Sequence, residues 1–344
     1  MTELTEQIVL NFNKFPSIGA ENWEYAFACA QVRALEIGML TRPMLLDMIN
    51  AENFQTAVDI LSSTEYAFGP AKEFDELEPI LQTKRTEIRK LFKELIVEQP
   101  IVELISARED FANLRLALRR KLTDKPIGTD YNNDGSIPAE RFEQTFEEED
   151  YSTLPLYLRQ AIENAVLAYY QNKDVRQIDY AIDKLQAQHN LDLAIQLNST
   201  FLLELCRMQI DLNNIRTMLR LKFRESDQRD LFIEGGYIST VTLRHGLDIG
   251  YEAIVPLFFS TPYYEIMEIG VTYLTSNKSF LKLEQHCEDH LMEFLKTTSQ
   301  ITAGHQPVVA YLLRKENEIR KIRLILTAKK NNLDARLILD RLGD

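Results

Sequence analysis

The sequence predicts an all-α fold, and three observations carry that expectation. Glycine is scarce, 12 of 344 residues, against a usual share of about 7%, while the good helix formers Leu, Glu, Arg, Lys, Ala and Gln abound. Apolar residues recur at helical spacing, and no stretch keeps the sustained alternation of a strand. One helical phrase also occurs three times. Asp110-x-x-Asn113-Leu114-Arg115-x-x-Leu118-Arg119 returns as Asp211-x-x-Asn214-Ile215-Arg216-x-x-Leu219-Arg220 and as Glu318-x-x-Lys321-Ile322-Arg323-x-x-Leu326-Thr327, at separations of 101 and 107 residues.

Each copy is an amphipathic helix. In the second, Leu212, Ile215, Leu219 and Leu221 share a side, with Asp211 and Arg220 turned elsewhere. The acid comes first and Arg follows, which suits the helix dipole and pairing along one face. A second phrase keeps step with the first: Gly38-Met39-Leu40-Thr41, Gly135-Ser136-Ile137-Pro138 and Gly236-Tyr237-Ile238-Ser239, with a degenerate fourth copy at Asn331-Asn332-Leu333-Asp334. Each Gly follows a helix, which predicts the left-handed C′ position, with Asn331 as its stand-in. The Thr, Pro or Ser three residues on then starts the next helix. Asp110 precedes Gly135, and Asp211 precedes Gly236, by 25 residues, whereas only 13 separate Glu318 from Asn331. The middle copies therefore carry a connecting insertion, such as Thr123 to Asp134.

Other helices are legible from spacing. Thr261-Pro262 reads as an N-cap with Pro at N1, opening a helix through Leu274. Leu154, Leu158, Ala161, Ile162, Ala165, Val166 and Tyr169 mark a buried face, and Lys282 to Leu295 continues the pattern. A chain of 344 residues exceeds one core, and the repeat divides it into three lobes, 1–125, 126–228 and 229–344.

The formal charge of −13 argues against binding nucleic acid or anionic lipid and favours a cationic partner surface. Three scattered cysteines make neither a disulfide framework nor a zinc site. The first residues lack the basic and apolar regions of a signal peptide, and no stretch reaches 18 uninterrupted apolar residues.

Candidate chemistry is thin. Asp130 to Ile137 matches the opening of an EF-hand loop, but the twelfth position holds Arg141 where the bidentate Glu belongs. His286 and His290 have metal-ligand spacing without a third ligand, and an exposed polar stripe is the simpler expectation. Arg119-Arg120-Lys121 and Lys329-Lys330 read as cations at helix C-termini, and Glu147 to Asp150 as a solvated face. No phosphate loop, nucleophile elbow or dinucleotide fingerprint occurs, and no catalytic residue, metal or cofactor is expected. Catalytic groups seldom recur three times in equivalent places, whereas scaffold contacts must. The thirteen repeat positions Asp110, Asn113, Arg115, Arg119, Asp211, Asn214, Arg216, Arg220, Glu318, Arg323, Gly38, Gly135 and Gly236 are therefore expected to be structural.

These phrases resemble a known family. The threefold helix, the Gly turns, Leu283-Glu284-x-His286-Cys287-x-Asp289 and the closing Lys315-Glu316-x-Glu318-Ile319-Arg320-x-Ile322-Arg323 are similar to the stalk subunit of rotary V-type and archaeal-type ATPases. It is called C in bacteria and archaea and d in eukaryotes. The third copy departs from the pattern at Lys321 and Thr327. The resemblance implies a funnel of three helical lobes about a pseudo-threefold axis, at the cytoplasmic side of a membrane proteolipid ring. A single copy would receive the central shaft of subunits D and F and pass torque between the ATP-hydrolysing head and the ion-carrying ring, with no active site of its own. The alternatives are a helical-repeat adaptor that binds a protein in a concave groove, though such repeats run nearer 33–47 residues, and a helical enzyme built on His286 and His290.

Overall fold

The computed structural model describes residues 10, 12, 14–70, 72–123, 125, 126, 130–226 and 228–343. Among them the regular structure is helical, with no strand, as the composition predicts. The α-helices in chain order are α1 (Ala26–Glu36), α2 (Arg42–Asn50), α3 (Phe54–Ile60), α4 (Leu77–Leu95), α5 (Gln99–Leu122), α6 (Ala139–Glu148), α7 (Leu156–Asn172) and α8 (Arg176–Gln196). They continue as α9 (Thr200–Phe223), α10 (Thr240–Asp248), α11 (Tyr251–Ile254), α12 (Tyr264–Asn277), α13 (Leu281–Lys296), α14 (His305–Lys330) and α15 (Ala335–Leu342). The three repeat phrases lie on the three longest helices, α5 and α9 of 24 residues each and α14 of 26.

The chain divides into two compact units, Glu98–Arg244 and Leu10–Val97 with His245–Asp344. The first holds α5 to α9, and Phe111, Leu114 and Leu118 of α5 anchor its core against Phe142, Phe146, Leu158, Ile162, Ile178 and Ile182. The second packs Ile319, Ile322 and Leu326 of α14 against Met48, Phe54, Leu61, Tyr66 and Leu81. In both, the repeat helix supplies the central apolar row.

Local chemistry explains where helices start. Thr41 caps α2 by accepting from the Met44 N–H at 3.4 Å, Asn53 caps α3 at 3.0 Å from the Thr56 N–H, and Ser199 caps α9 at 3.3 Å from the Leu202 N–H. Pro138 precedes α6 and Ser239 precedes α10, so each Gly turn is followed by a helix as expected. With glycine so scarce, non-glycine residues take the left-handed stop: Glu149 after α6, Lys173 after α7 and Lys278 after α12, at φ of 57°, 54° and 54°. Each such stop costs about 1–2 kcal/mol, which the packing of the helices it joins offsets.

Several expectations are corrected. Thr261 does not cap a helix at Pro262. Its hydroxyl accepts from the Tyr263 N–H at 3.3 Å, and α12 begins at Tyr264. Leu154 precedes α7, whose buried face is Leu158, Ala161, Ile162 and Ala165. The cluster at the end of α5 is paired with side chains rather than with helix carbonyls: Arg119 with Asp179, Arg120 with Asp130 at 2.6 Å and Lys121 with Glu149. The EF-hand-like oxygens are also spent within the protein. Asp130 pairs with Arg120, Asn132 donates to Glu109 at 2.5 Å, and Asn133 accepts from the Ala139 N–H at 3.1 Å.

His290 does not lie on an exposed stripe. It is 7% exposed, its ring 5.1 Å from that of Phe15 and 5.3 Å from that of Tyr263. Burial lowers the imidazole from 6.5 to about 4; Glu293 opposes the shift and Lys14 adds to it. Because the folded value lies below the unfolded one, the unfolded chain takes up a proton first as pH falls. Stability then drops between about pH 6.5 and pH 4 and levels off below. This difference in pKa corresponds to about 3 kcal/mol. Urea unfolding of His290→Gln at pH 7, 5.5 and 4.5 is expected to show the variant losing about 2 kcal/mol less than the parent across that range; parallel curves would overturn the assignment.

Candidate functional site: a buried carboxylate that holds a distant turn

Each repeat helix carries its acidic residue in mid-helix, facing inward. Asp110 and Asp211 are fully buried and Glu318 nearly so, at 6%. A charge in such a place is expensive unless donors surround it, and the donors come from the Gly turn. Asp110 accepts from the Ser136 N–H at 2.9 Å and the Ile137 N–H at 3.1 Å. Asp211 accepts from the Tyr237 N–H at 3.0 Å and the Ile238 N–H at 3.0 Å. Glu318 accepts from the Leu40 N–H at 2.5 Å. The two phrases that keep step in the sequence are thus halves of one clasp.

In the third clasp the turn precedes its helix in the chain. Glu318 does not engage Asn331 to Asp334, which follow it, but the turn at Leu40, 278 residues away in the chain. Asn331 has φ −92° and ends α14, Asn332 takes the left-handed conformation at φ 52°, and Asp334 caps α15 through the Arg336 N–H at 2.8 Å. The last repeat helix is therefore completed by a turn near the other end of the chain.

The role of the glycines is also corrected. Gly38, Gly135 and Gly236 are not left-handed; among the described residues the positive-φ glycines are Gly19, Gly235 and Gly343. Glycine is needed at two of the turns because the carboxylate lies against the backbone. A Cβ on Gly135 would stand 2.2 Å from Asp110 Oδ1, and one on Gly236 2.2 Å from Asp211 Oδ1. At Gly38 the nearest atom is the Leu35 carbonyl oxygen at 3.5 Å, an ordinary contact. Glutamate is one methylene longer than aspartate, so its helix reaches the turn while leaving room there.

Other donors complete the sites. The Tyr157 hydroxyl donates to Asp110 Oδ2 at 3.0 Å, and the Tyr66 hydroxyl to Glu318 Oε1 at 2.8 Å. Lys315, only 3% exposed, pairs with both Glu318 and Glu65. Burial raises the Asp110 carboxyl above its ordinary value, partly countered by the N–H groups of Ile137 and Ser136 and the Tyr157 hydroxyl. Burial and the adjacent carboxylate push both phenols upward, so each stays a donor. Sequence periodicity does not reveal these tyrosines: Tyr157 lies 22 residues past Gly135, and Tyr66 lies 28 past Gly38.

The remaining repeat positions extend the clasp along the helix. Asn113 grips residue 132 on both sides, accepting from its N–H and donating to its C=O, each at 2.8 Å. Asn214 does the same to Ile233 at 2.9 and 2.7 Å. Arg115 and Arg119 reach α8, where both pair with Asp179 and Arg115 also with Asp183. Arg323 makes a two-pronged bond to Glu78 of α4 at 2.7 and 3.0 Å. Arg216 and Arg220 occupy the matching places on α9. No group of three His, Cys, Asp or Glu among the described residues is placed to hold a metal ion. The geometry anchors helices to turns.

Three substitutions separate close approach from backbone conformation. Gly135→Ala and Gly236→Ala are expected to destabilise by about 2–4 kcal/mol, because the added methyl displaces a buried carboxylate from its donors. Gly38→Ala should stay within about 1 kcal/mol of the parent. Chemical denaturation of the three variants decides it, and equal losses at all three sites would contradict the clasp.

The chain is 25% identical to the C subunit of the V-type sodium ATPase of Enterococcus hirae over 316 residues, 90% of this chain and 95% of the relative. It is 24% identical to the C subunit of the A-type ATP synthase of Methanococcoides burtonii over 350 residues, 92% of this chain and 94% of the relative. It is 21% identical to that of Pyrococcus abyssi over 338 residues, 93% and 90%. The ATP synthase (C/AC39) subunit family matches residues 28–341, a span that takes in all three acidic helices and all three turns, and the chain belongs to that family.

Proposed function

We propose that the protein is the non-catalytic central-stalk socket of a rotary V-type or A-type ATPase. In this role it joins a shaft of subunits D and F to the proteolipid ring on the cytoplasmic face of the membrane and passes torque between them. The observation that carries the reading is family membership over residues 28–341, with relatives named as the C subunits of a V-type sodium ATPase and of A-type ATP synthases. The physical support is the clasp. A torque-bearing part must keep its helices in register under load, and a buried carboxylate bonded to a remote turn resists sliding, because any slip strands a charge without donors. The division into lobes 1–125, 126–228 and 229–344 belongs to this proposal, with the turn at Gly38 serving the helix of the last lobe. No described helix is long and apolar enough to cross a membrane, so attachment to the ring would run through protein contacts.

The charge of −13 suits a socket that grips a basic shaft tip. Mixing purified D/F shaft with the protein and raising salt from low to physiological strength should weaken binding by about tenfold or more, since exposed charge attraction is screened within a Debye length. Binding indifferent to salt removes the electrostatic grip. Failure to co-purify with a proteolipid ring and catalytic head in detergent removes the socket itself.

A further inference from the structure

One helix is apolar on both sides. α1 turns Ala28, Cys29 and Val32 inward, and the Cys29 thiol donates to the Gly304 carbonyl, just before α14, at 3.2 Å. A surface helix ordinarily sets polar and charged residues opposite its buried face. α7 does so, exposing Arg159, Gln160, Glu163 and Asn164. α1 does not. From Ala26 to Ile37 the exposed residues are Ala26, Phe27, Ala30, Ala34, Leu35 and Ile37. Trp23, in the 3-10 turn Trp23–Tyr25 that leads into α1, is 66% exposed, Phe27 78% and Ile37 87%. A contiguous apolar surface of this kind marks a site of association.

The spacing says what associates. Trp23, Phe27, Ala30, Ala34 and Ile37 follow one another at alternating steps of four and three residues. That alternation has the mean period of a coiled-coil seam, about 3.5 residues, and it runs along the side of α1 that faces away from the core. A helix lying in a bilayer surface would instead carry Lys and Arg on its polar side. The row also has a shape. Ala30 and Ala34 leave a shallow place between the larger Phe27 and Ile37, which large aliphatic side chains of a second helix would fill.

The flanks set the charge of that helix. Glu24, exposed beside the row, has no ion pair among the described residues, and the neighbouring Glu21 is exposed and accepts from the Thr302 N–H at 2.8 Å. The cation of α1, Arg33, is spent on Glu36 at 2.8 Å and on the Thr298 carbonyl at 2.9 Å. The edges therefore offer acid and no free base, on a chain of charge −13. Lys or Arg beside an apolar row is the complement. A second copy of the chain would bring the same acids and the same net charge, and anionic lipid would be repelled in the same way. We propose that the outer face of α1 docks an amphipathic helix of another polypeptide, one whose apolar heptad row is flanked by basic residues. This rests on the exposed face and not on torque transmission, so failure of the socket reading leaves it standing.

Trp23 is the only tryptophan of the chain, so fluorescence of the full-length protein reports the site directly. The probes are two synthetic peptides of about three heptads with Leu at a and d, one with Lys and one with Glu at e and g; like charges on its flanks discourage each from pairing with itself. The Lys peptide is expected to move Trp23 emission to shorter wavelength and shield it from acrylamide, and the Glu peptide to bind at least about fivefold more weakly. Ala30→Arg and Ala34→Arg, each at an exposed position, put a like charge in the row and should each weaken the Lys peptide about tenfold. Arg is a good helix former, thermal unfolding checks the fold, and the peptide pair on the parent protein decides the matter if a variant unfolds. No shift with the Lys peptide overturns the proposal, as does equal binding of the two peptides or binding that two folded variants leave unchanged. A shift produced by raising the concentration of the protein alone gives the face to a second copy. A shift with phosphatidylglycerol vesicles but not with the Lys peptide gives it to a membrane, and either result overturns the proposal.

Discussion

The structure depends on a carboxylate buried in the middle of a long helix. An ionised Asp in an apolar core is costly to desolvate, and only donors of fixed geometry make it tolerable. Here they are backbone N–H groups of a turn that is remote in sequence. Hydrogen bonds to a charged acceptor are roughly twice as strong as neutral ones, and the arrangement is intolerant of register errors. Hydrophobic packing alone would hold α5, α9 and α14 in several rotations or shifts of similar energy; the clasp selects one. The two-sided grip of Asn113 and Asn214 on a single peptide unit repeats that selection one helical turn further on.

The same device closes the chain. Glu318 and Leu40 lie near opposite ends of the sequence yet make the third clasp, so that unit is built from both termini. Its chemistry shifts accordingly. The longer Glu replaces Asp, a lysine and a tyrosine join a single peptide N–H as donors, and the glycine at the turn is no longer crowded. The segment that follows α14 returns as a helix, α15, with Arg341 reaching the same Glu288 that Arg320 of α14 holds, and Lys321 stands where the other copies carry the gripping Asn.

A second repeat signal lies in the helical hairpins. α7 ends at Asn172 and Lys173, and α12 at Asn277 and Lys278, with each lysine left-handed. Each asparagine bonds back to the carbonyl four residues earlier, Asn172 at 3.0 Å and Asn277 at 3.4 Å. A chain poor in glycine thus reuses one strained stop for two hairpins. Asn-Lys is too common a pair to stand out, so spacing and composition do not reveal it.

Composition and periodicity by themselves determined that the chain is helical, that the recurring phrases lie on helices and which residues recur, because helix propensity and apolar spacing are local properties; the long helices α4 and α8 they left unplaced. They also put Asp110, Asn113, Asp211, Asn214 and Glu318 among the structural positions. Tertiary structure alone decided what these residues hold. The choice between Asn331 and Leu40 as partner of Glu318 depends on which turn the fold brings within hydrogen-bond reach, and sequence distance says nothing of that. The need for glycine at 135 and 236 came from a carboxylate pressed against the backbone rather than from the turn's own dihedrals. His290 was placed inside by packing of Phe15 and Tyr263 from other parts of the chain. In each case the deciding contact joins segments far apart in sequence, where neither propensity nor spacing carries information.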